Sequence, residues 1–178
     1  QVRPRFGESM IIYAISGKLK CGKTTLANLL SYRRVSFGDP VKRECSDTYG
    51  IPLHFFYEKK DALVSVQGQY MTIRKLLQWH GTDYRRAQDP LYWVKKFDEQ
   101  LPNEDCVIDD VRFVEEAEYC KSKKAVLVRL EPYPGYSYYS AHKSETELDN
   151  YDCFDLVLHP KFGELQLLVE VLDADTKN

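Results

Sequence analysis

Apolar positions along this chain switch between short continuous runs and a period near 3.6, the mark of buried strands alternating with helices. Residues 10–15 form an apolar run that ends at Ser16, predicting a buried first strand, and Leu26, Leu29 and Leu30 share one face of a predicted helix over 23–33. Residues 35–37 predict a brief strand. Asp39 then offers an N-cap and Pro40 a first helical position for a helix to about residue 49, stopped by Gly50-Ile51-Pro52. Thr72 caps a helix that carries Ile73, Leu76 and Leu77 inward and that Gly81 closes. Asp89-Pro90 opens another, with Trp93, Val94, Phe97 and Leu101 at helical spacing. Strands are expected at 106–109, 125–130 and 154–158, and helices at 114–122 and 162–172. Residues 51–71 have no clear period, while 131–142, rich in Tyr, Pro, Gly and Ser, predict a mobile loop. The alternation predicts an α/β fold of three α/β/α layers, with a largely parallel sheet of about five strands and a small lid over about 131–147.

A length of 178 residues suits one domain. Residues 1–9 have neither a signal-peptide core nor a helical period and stand ahead of Met10, so they read as an expression remnant before a domain over 10–178. The 25 basic and 27 acidic residues leave a charge of −2, no excess of cations for polymeric nucleic acid or an anionic membrane. No apolar stretch nears the roughly 20 residues of a membrane span. Five cysteines without a Cys-x-x-Cys pair argue for a reducing cytoplasm rather than a disulfide or zinc framework. The four histidines have no metal-ligand spacing either.

One motif changes the picture. Gly17-Lys18-Leu19-Lys20-Cys21-Gly22-Lys23-Thr24, followed by Thr25, has the Gly-x4-Gly-Lys-Thr spacing between a strand and a helix that a P-loop requires. Such a loop turns backbone N–H groups onto the phosphates of ATP, the helix N-terminus adds partial positive charge, Lys23 bridges phosphate oxygens and the Thr24 hydroxyl coordinates Mg²⁺. A chance turn before a helix is the bland alternative, and the correct flanks disfavour it. No Asn-Lys-x-Asp string exists to read guanine.

Transfer between two phosphates brings anions together, so arginines must gather, and a general base is unnecessary because the accepting phosphate ionises with a second pKa of about 6. The strand at 106–109 leads into Asp109 and Asp110, then Arg112. One of these two carboxylates can hold water on Mg²⁺ while Arg112 grips a phosphate; alternatively they form only a turn and an N-cap. Arg74 and Gln78 lie four apart on one helical face, suited to a phosphate and a base edge or simply to solvent. Trp93 has core periodicity and a ring that can stack on a base.

These residues, with Gly38-Asp39-Pro40-Val41-Lys42, Ile73-Arg74-Lys75-Leu76-Leu77-Gln78, Gly81-Thr82-Asp83, Asp89-Pro90-Leu91-Tyr92-Trp93-Val94, Asp110-Val111-Arg112-Phe113 and His142-x-Ser144-Glu145, give a chain that resembles the deoxynucleoside monophosphate kinases of tailed bacteriophages. The resemblance covers nearly everything from Met10 onward. It implies ATP-dependent phosphorylation of deoxynucleoside monophosphates, supplying viral DNA synthesis in a host cytoplasm, with Mg²⁺ as cofactor. It implies a substrate pocket from Asp39, Val41, Lys42, Arg74, Gln78, Gly81, Thr82, Asp83 and Trp93 on helices over about 39–101. Asp110 would be the magnesium-side acid, Arg112 a phosphate ligand, and the region of His142, Ser144 and Glu145 a lid over ATP. A homodimer is compatible with the sequence. Two departures stand out: His159-Pro160-Lys161 replaces an Asn-containing turn near the adenine, and 51–71 is short beside relatives with an inserted subdomain. Competing readings are a kinase of another small phosphorylated metabolite, such as phosphomevalonate, and a nucleotide switch without acceptor.

Overall fold

The computed structural model describes residues 10–161, 163 and 165–175. The expected remnant at 1–9 and the start of the last predicted helix, at 162 and 164, therefore lie outside the described residues.

Five strands form one parallel sheet: β1 (Ile12–Gly17), β2 (Arg33–Val35), β5 (Cys106–Val111), β6 (Val126–Leu130) and β7 (Leu156–Leu158), in the order β2-β5-β1-β6-β7. β1 sits in the middle and is buried along its whole length. Its side chains alternate between two cores, as a strand covered on both faces requires. Ile12 and Ala14 join Phe37, Phe97, Ile108 and Leu127 on one face; Tyr13 and Ile15 join Leu26, Val107 and Val128 on the other. The helix α1 (Lys23–Leu29) and the last helix α8 (Leu165–Asp175) contribute Leu26 and Leu172 to the second face. The helices α5 (Tyr92–Asp98) and α6 (Val114–Ser122) contribute Val94, Phe97, Ala117 and Cys120 to the first. The expected three-layer fold is the one observed.

A third, smaller core lies beside the sheet. It joins α2 (Gly38–Tyr49), α3 (Leu53–Glu58), the hairpin β3 (Leu63–Val66) and β4 (Gln69–Thr72), and α4 (Ile73–Gln78) around Cys45, Phe56, Val66, Ile73 and Leu76. The hairpin occupies the segment without sequence period. Its turn residues Gln67 and Gly68 both have positive φ, 52° and 79°, as a two-residue type I′ turn demands.

Several expected boundaries move: β2 lies at Arg33–Val35 rather than 35–37, α5 starts at Tyr92 rather than at Asp89-Pro90, and β7 is shortened to Leu156–Leu158. The first helix ends at Leu29 because Ser31 takes a left-handed φ of 59°, turning the chain so that β2 pairs with β5. Asp39 does not cap α2, which begins one residue earlier, and Pro40 lies in its first turn. Thr72 does cap α4, accepting from the Lys75 amide at 3.2 Å. Gly81, however, does not close that helix. The helix runs on as a π-helical stretch, Trp79–Arg86. Gly81 is required there for close approach: a Cβ would stand 3.2 Å from Val41 Cγ1.

Residues 131–142 hold no regular element, and α7 (Lys143–Thr146) follows them. All five cysteines are free thiols. Among the described residues no helix is long and apolar enough to cross a membrane.

Candidate active site

β1 is flanked by β5 on one side and β6 on the other, and the connections leave in opposite directions there. Ligands bind open α/β sheets at such a switch point, beyond the carboxyl ends of the strands. A cleft of about 740 Å³ lies at that position.

The loop after β1 forms one end. Gly17 has φ 149°, and a Cβ on it would meet the Leu130 carbonyl oxygen at 2.4 Å, so no other residue fits. Lys20 is held at φ 65°, a left-handed strain costing about 1–3 kcal/mol of the kind concentrated at ligand sites. Lys23 leads α1 and is buried; its Nζ donates to the carbonyls of Gly17 at 2.8 Å and Lys18 at 2.6 Å. Burial pushes this ammonium below its ordinary value, with Cys21 opposing. Lys20, Gly22, Lys23, Thr24 and Thr25 line the cleft. Lys18 turns away instead, donating to Asp149 and to the Glu145 carbonyl at 2.6 Å. Gly17 and Cys21 shape the loop without lining the cleft.

The two adjacent carboxylates separate. Ala14 pairs with Ile108 but Ser16 pairs with Val111, so β5 carries one extra residue across Asp109 and Asp110, a β-bulge. Asp109 faces the loop, where its Oδ2 accepts from Thr24 Oγ1 at 3.1 Å and lies 3.4 Å from Arg34 Nε. Burial, then the charge of Asp110, pushes the Asp109 carboxyl above its ordinary value. Asp110 faces the other way. It accepts from Ser36 Oγ at 2.5 Å and from the amides of Phe37 and Gly38, both at 2.8 Å. The carboxylate beside Thr24 is thus Asp109, where the sequence resemblance pointed to Asp110. Asp110 acts as a long-range cap on α2.

Hard oxygen donors suit Mg²⁺, which keeps several waters and takes the rest from substrate phosphates. Thr24 and Asp109 offer two such oxygens, and a cation there would relieve a buried anion, so the residues fit the ion. Among the described residues no cluster of three or more His, Cys, Asp or Glu could hold a metal without substrate.

The end of the cleft away from the phosphate loop is basic. Asp39, Val41, Lys42, Arg74, Gln78, Gly81, Thr82, Trp93 and Arg112 all line the cleft, as does Lys60, which sequence reasoning missed. Lys42 pairs with Asp39 at 2.8 Å and lies over the Tyr57 ring; Tyr57 also donates to Asp39 at 2.9 Å. The hydrogen bond to Asp39 and, before it, burial push the Tyr57 phenol up to about 12. Trp93 is buried and donates to the Gly81 carbonyl at 2.8 Å, so it is core and cleft wall at once. Asp83 is exposed on the π-helical stretch and does not line the cleft.

Arg112 is gripped from two sides. Its backbone N–H donates to Glu116 Oε2 at 2.8 Å, and Glu116 Oε1 takes Arg86 at 2.5 Å in a buried pair that lines the cleft floor. Its guanidinium pairs with Glu145 and donates to the Ser144 carbonyl at 3.2 Å. Burial works against that guanidinium, yet Glu145 holds it above its ordinary value. The other Glu145 oxygen accepts from the Leu19 amide in the phosphate loop at 2.9 Å. Ser144 and Glu145 therefore reach the cleft, whereas His142 caps α7 by accepting from the Ser144 amide and does not line it.

Residues 43–161 match a family model described as deoxynucleotide monophosphate kinase. That span starts after the phosphate loop and takes in most of the basic wall of the cleft, β5 and α7. Over 170 residues the chain is 28% identical to an Acanthamoeba polyphaga mimivirus protein with the provisional description deoxynucleotide monophosphate kinase, covering 84% of this chain and 88% of that one. The crystal structure of TT1252 from Thermus thermophilus superposes with a TM-score of 0.52 at 14% identity, covering 96% of this chain and 98% of the other. Shikimate kinase from Acinetobacter baumannii in complex with shikimate gives 0.50 at 12% identity, over 97% and 96%. At those identities the likeness concerns the fold alone.

Proposed function

We propose, because this chain belongs to the deoxynucleotide monophosphate kinase family, that its cleft carries the terminal phosphoryl group of ATP to the 5′-phosphate of a deoxynucleoside monophosphate. One observation carries the reading: a single cleft has a P-loop at one end and a cluster of basic side chains, Lys42, Lys60 and Arg74, at the other, with Arg112 between them. A hydrolase or switch needs the first end and has no use for the second.

In this reading the amides of the loop cradle the donor phosphates, and Lys23 exchanges the carbonyls of Gly17 and Lys18 for phosphate oxygens. Thr24 and Asp109 would hold Mg²⁺, which when bound would supply positive charge against the phosphates. Lys42 and Arg74 seat the acceptor phosphate, and Arg112, between the two ends, steadies the group in flight. Gln78, Thr82 and the wall of Val41, Gly81 and Trp93 receive the base. No side chain is needed as general base, since the acceptor is already ionised at neutral pH. Ser144 and Glu145 bring the lid over the reacting phosphates to exclude water.

The test is ADP release in a coupled assay with ATP and each of the four common deoxynucleoside monophosphates. Turnover is expected only when an acceptor is present. Equal ADP release without any monophosphate, or none with every monophosphate offered, would sink the assignment.

The two carboxylates make a second prediction. Asp109→Asn should lower kcat by about 10²–10³ and raise the Mg²⁺ concentration needed for half-maximal rate, the scale set by losing one charge-stabilising group. Asp110→Asn should act mainly on the α2 terminus, costing about 1–3 kcal/mol of stability and raising KM for the acceptor. A reversed ranking in kcat would return the metal role to Asp110.

A further inference from the structure

Beyond the phosphate loop, all but one of the basic side chains that line the cleft come with a carboxylate of their own, Arg34 with Asp109 at 3.4 Å and Arg86 with Glu116 at 2.5 Å among them. Lys42 has Asp39 at 2.8 Å, Arg74 has Asp61 at 3.2 Å, and Arg112 has Glu145. Lys60 lines the same cleft and has no hydrogen-bond or ion-pair partner for its ammonium among the described residues. Its backbone is nevertheless held firmly. The Lys60 carbonyl accepts from the Arg74 amide at 2.8 Å and the Ala62 carbonyl from the Ile73 amide at 3.0 Å, stapling the turn after α3 to the first residues of α4.

That arrangement keeps an unbalanced cation near three others. Lys60 is exposed as a residue, yet desolvation of its ammonium, and then the like charges of Lys42, Arg74 and Arg112, push it below the ordinary lysine value; Asp110 opposes them. Asp110 is itself spent on Ser36 and the amides of Phe37 and Gly38. The three pairs are each close to neutral, so the local positive charge rests on Lys60. A cation left without a counter-ion in a partly desolvated cleft binds an arriving anion more strongly for it. The other cleft lysine without a partner, Lys20, stands in the phosphate loop at the donor end.

We propose that Lys60 is a direct ligand of the acceptor's phosphate, taking a phosphate monoester dianion between α4 and the end of β5. The inference rests on the acceptor reading above and adds to it a residue from the segment without sequence period.

Lys60→Met and Lys60→Arg are compared with the wild type. Each is titrated with a deoxynucleoside monophosphate, with the matching deoxynucleoside lacking phosphate, and with inorganic phosphate. Thermal unfolding checks that an exposed substitution leaves the fold intact. Lys60→Met is expected to raise KM and Kd for the monophosphate at least tenfold and to weaken inorganic phosphate similarly. The deoxynucleoside affinity and KM for ATP should stay within about twofold, the pattern of a lost ground-state phosphate contact. Lys60→Arg should recover most of the loss. Monophosphate and phosphate affinities within twofold of wild type would overturn the assignment, and so would an equal loss for nucleoside and nucleotide. A wild type that turns over no monophosphate would instead sink the proposed reaction, while the inorganic phosphate titration would still decide Lys60.

Discussion

Replacing Lys23 with alanine is expected to lower kcat/KM by about 10³–10⁴ with little change in fold. Removing one preorganised charge from a site where negative charge develops costs roughly 10²–10³. Lys23 is buried and faces both the loop carbonyls and the cleft, so water replaces it poorly. Two effects on stability oppose each other. The variant loses hydrogen bonds to Gly17 and Lys18, each worth about 1 kcal/mol. It also relieves an ammonium whose burial disfavours its charge. Steady-state kinetics beside thermal unfolding would check both halves. A variant keeping more than a tenth of wild-type kcat/KM would remove Lys23 from the chemistry.

The largest effect on stability is expected from Arg86→Met. The pair of Arg86 with Glu116 is buried, at 6% and 3% side-chain exposure, and breaking such a pair costs about 3–5 kcal/mol. The loss should depend on pH. Burial pushes the Glu116 carboxyl up to about 7, with Arg86 opposing, from an ordinary value of 4.5. A carboxyl whose folded value is raised holds its proton more tightly when folded. Its contribution is full below 4.5 and is lost as pH rises through about 7. Without Arg86 the folded value rises further, so the variant should be only mildly destabilised near pH 5 and strongly so near pH 8. Because Glu116 also holds the Arg112 amide, kcat should fall in parallel at the higher pH. Equal unfolding shifts at both pH values would show that Glu116 does not titrate in this window.

The central strand, the loop and α1 were legible because each signal there is local: an apolar run, glycines at fixed spacing, then a helical period. The face of each carboxylate was not. A β-bulge interrupts the alternation of β5 at Asp109 and Asp110, so which one meets Thr24 depends on the local register with β1, a long-range property. The start of α2 was misread for a related reason. Asp39 looks like a cap, yet the capping carboxylate is Asp110, more than 70 residues away. Gly81 reads as a helix stop and instead admits Val41 and Trp93 at close range. Lys60 escaped notice because its surroundings, α3 and the hairpin of β3 and β4, are short pieces, none long enough to show its own period. The Gln67-Gly68 turn was the one signal available there, flanked by Val64, Val66, Tyr70 and Met71.

The bond between Glu145 and the Leu19 amide has a consequence for how nucleotide enters. A carboxylate and a phosphate are rivals for the same donors, and Glu145 already occupies this amide and the Arg112 guanidinium. An arriving polyphosphate that claims either donor must evict the side chain, which loosens α7 from the loop. On the proposed reading, phosphate arrival at the loop and release of α7 thereby become a single event.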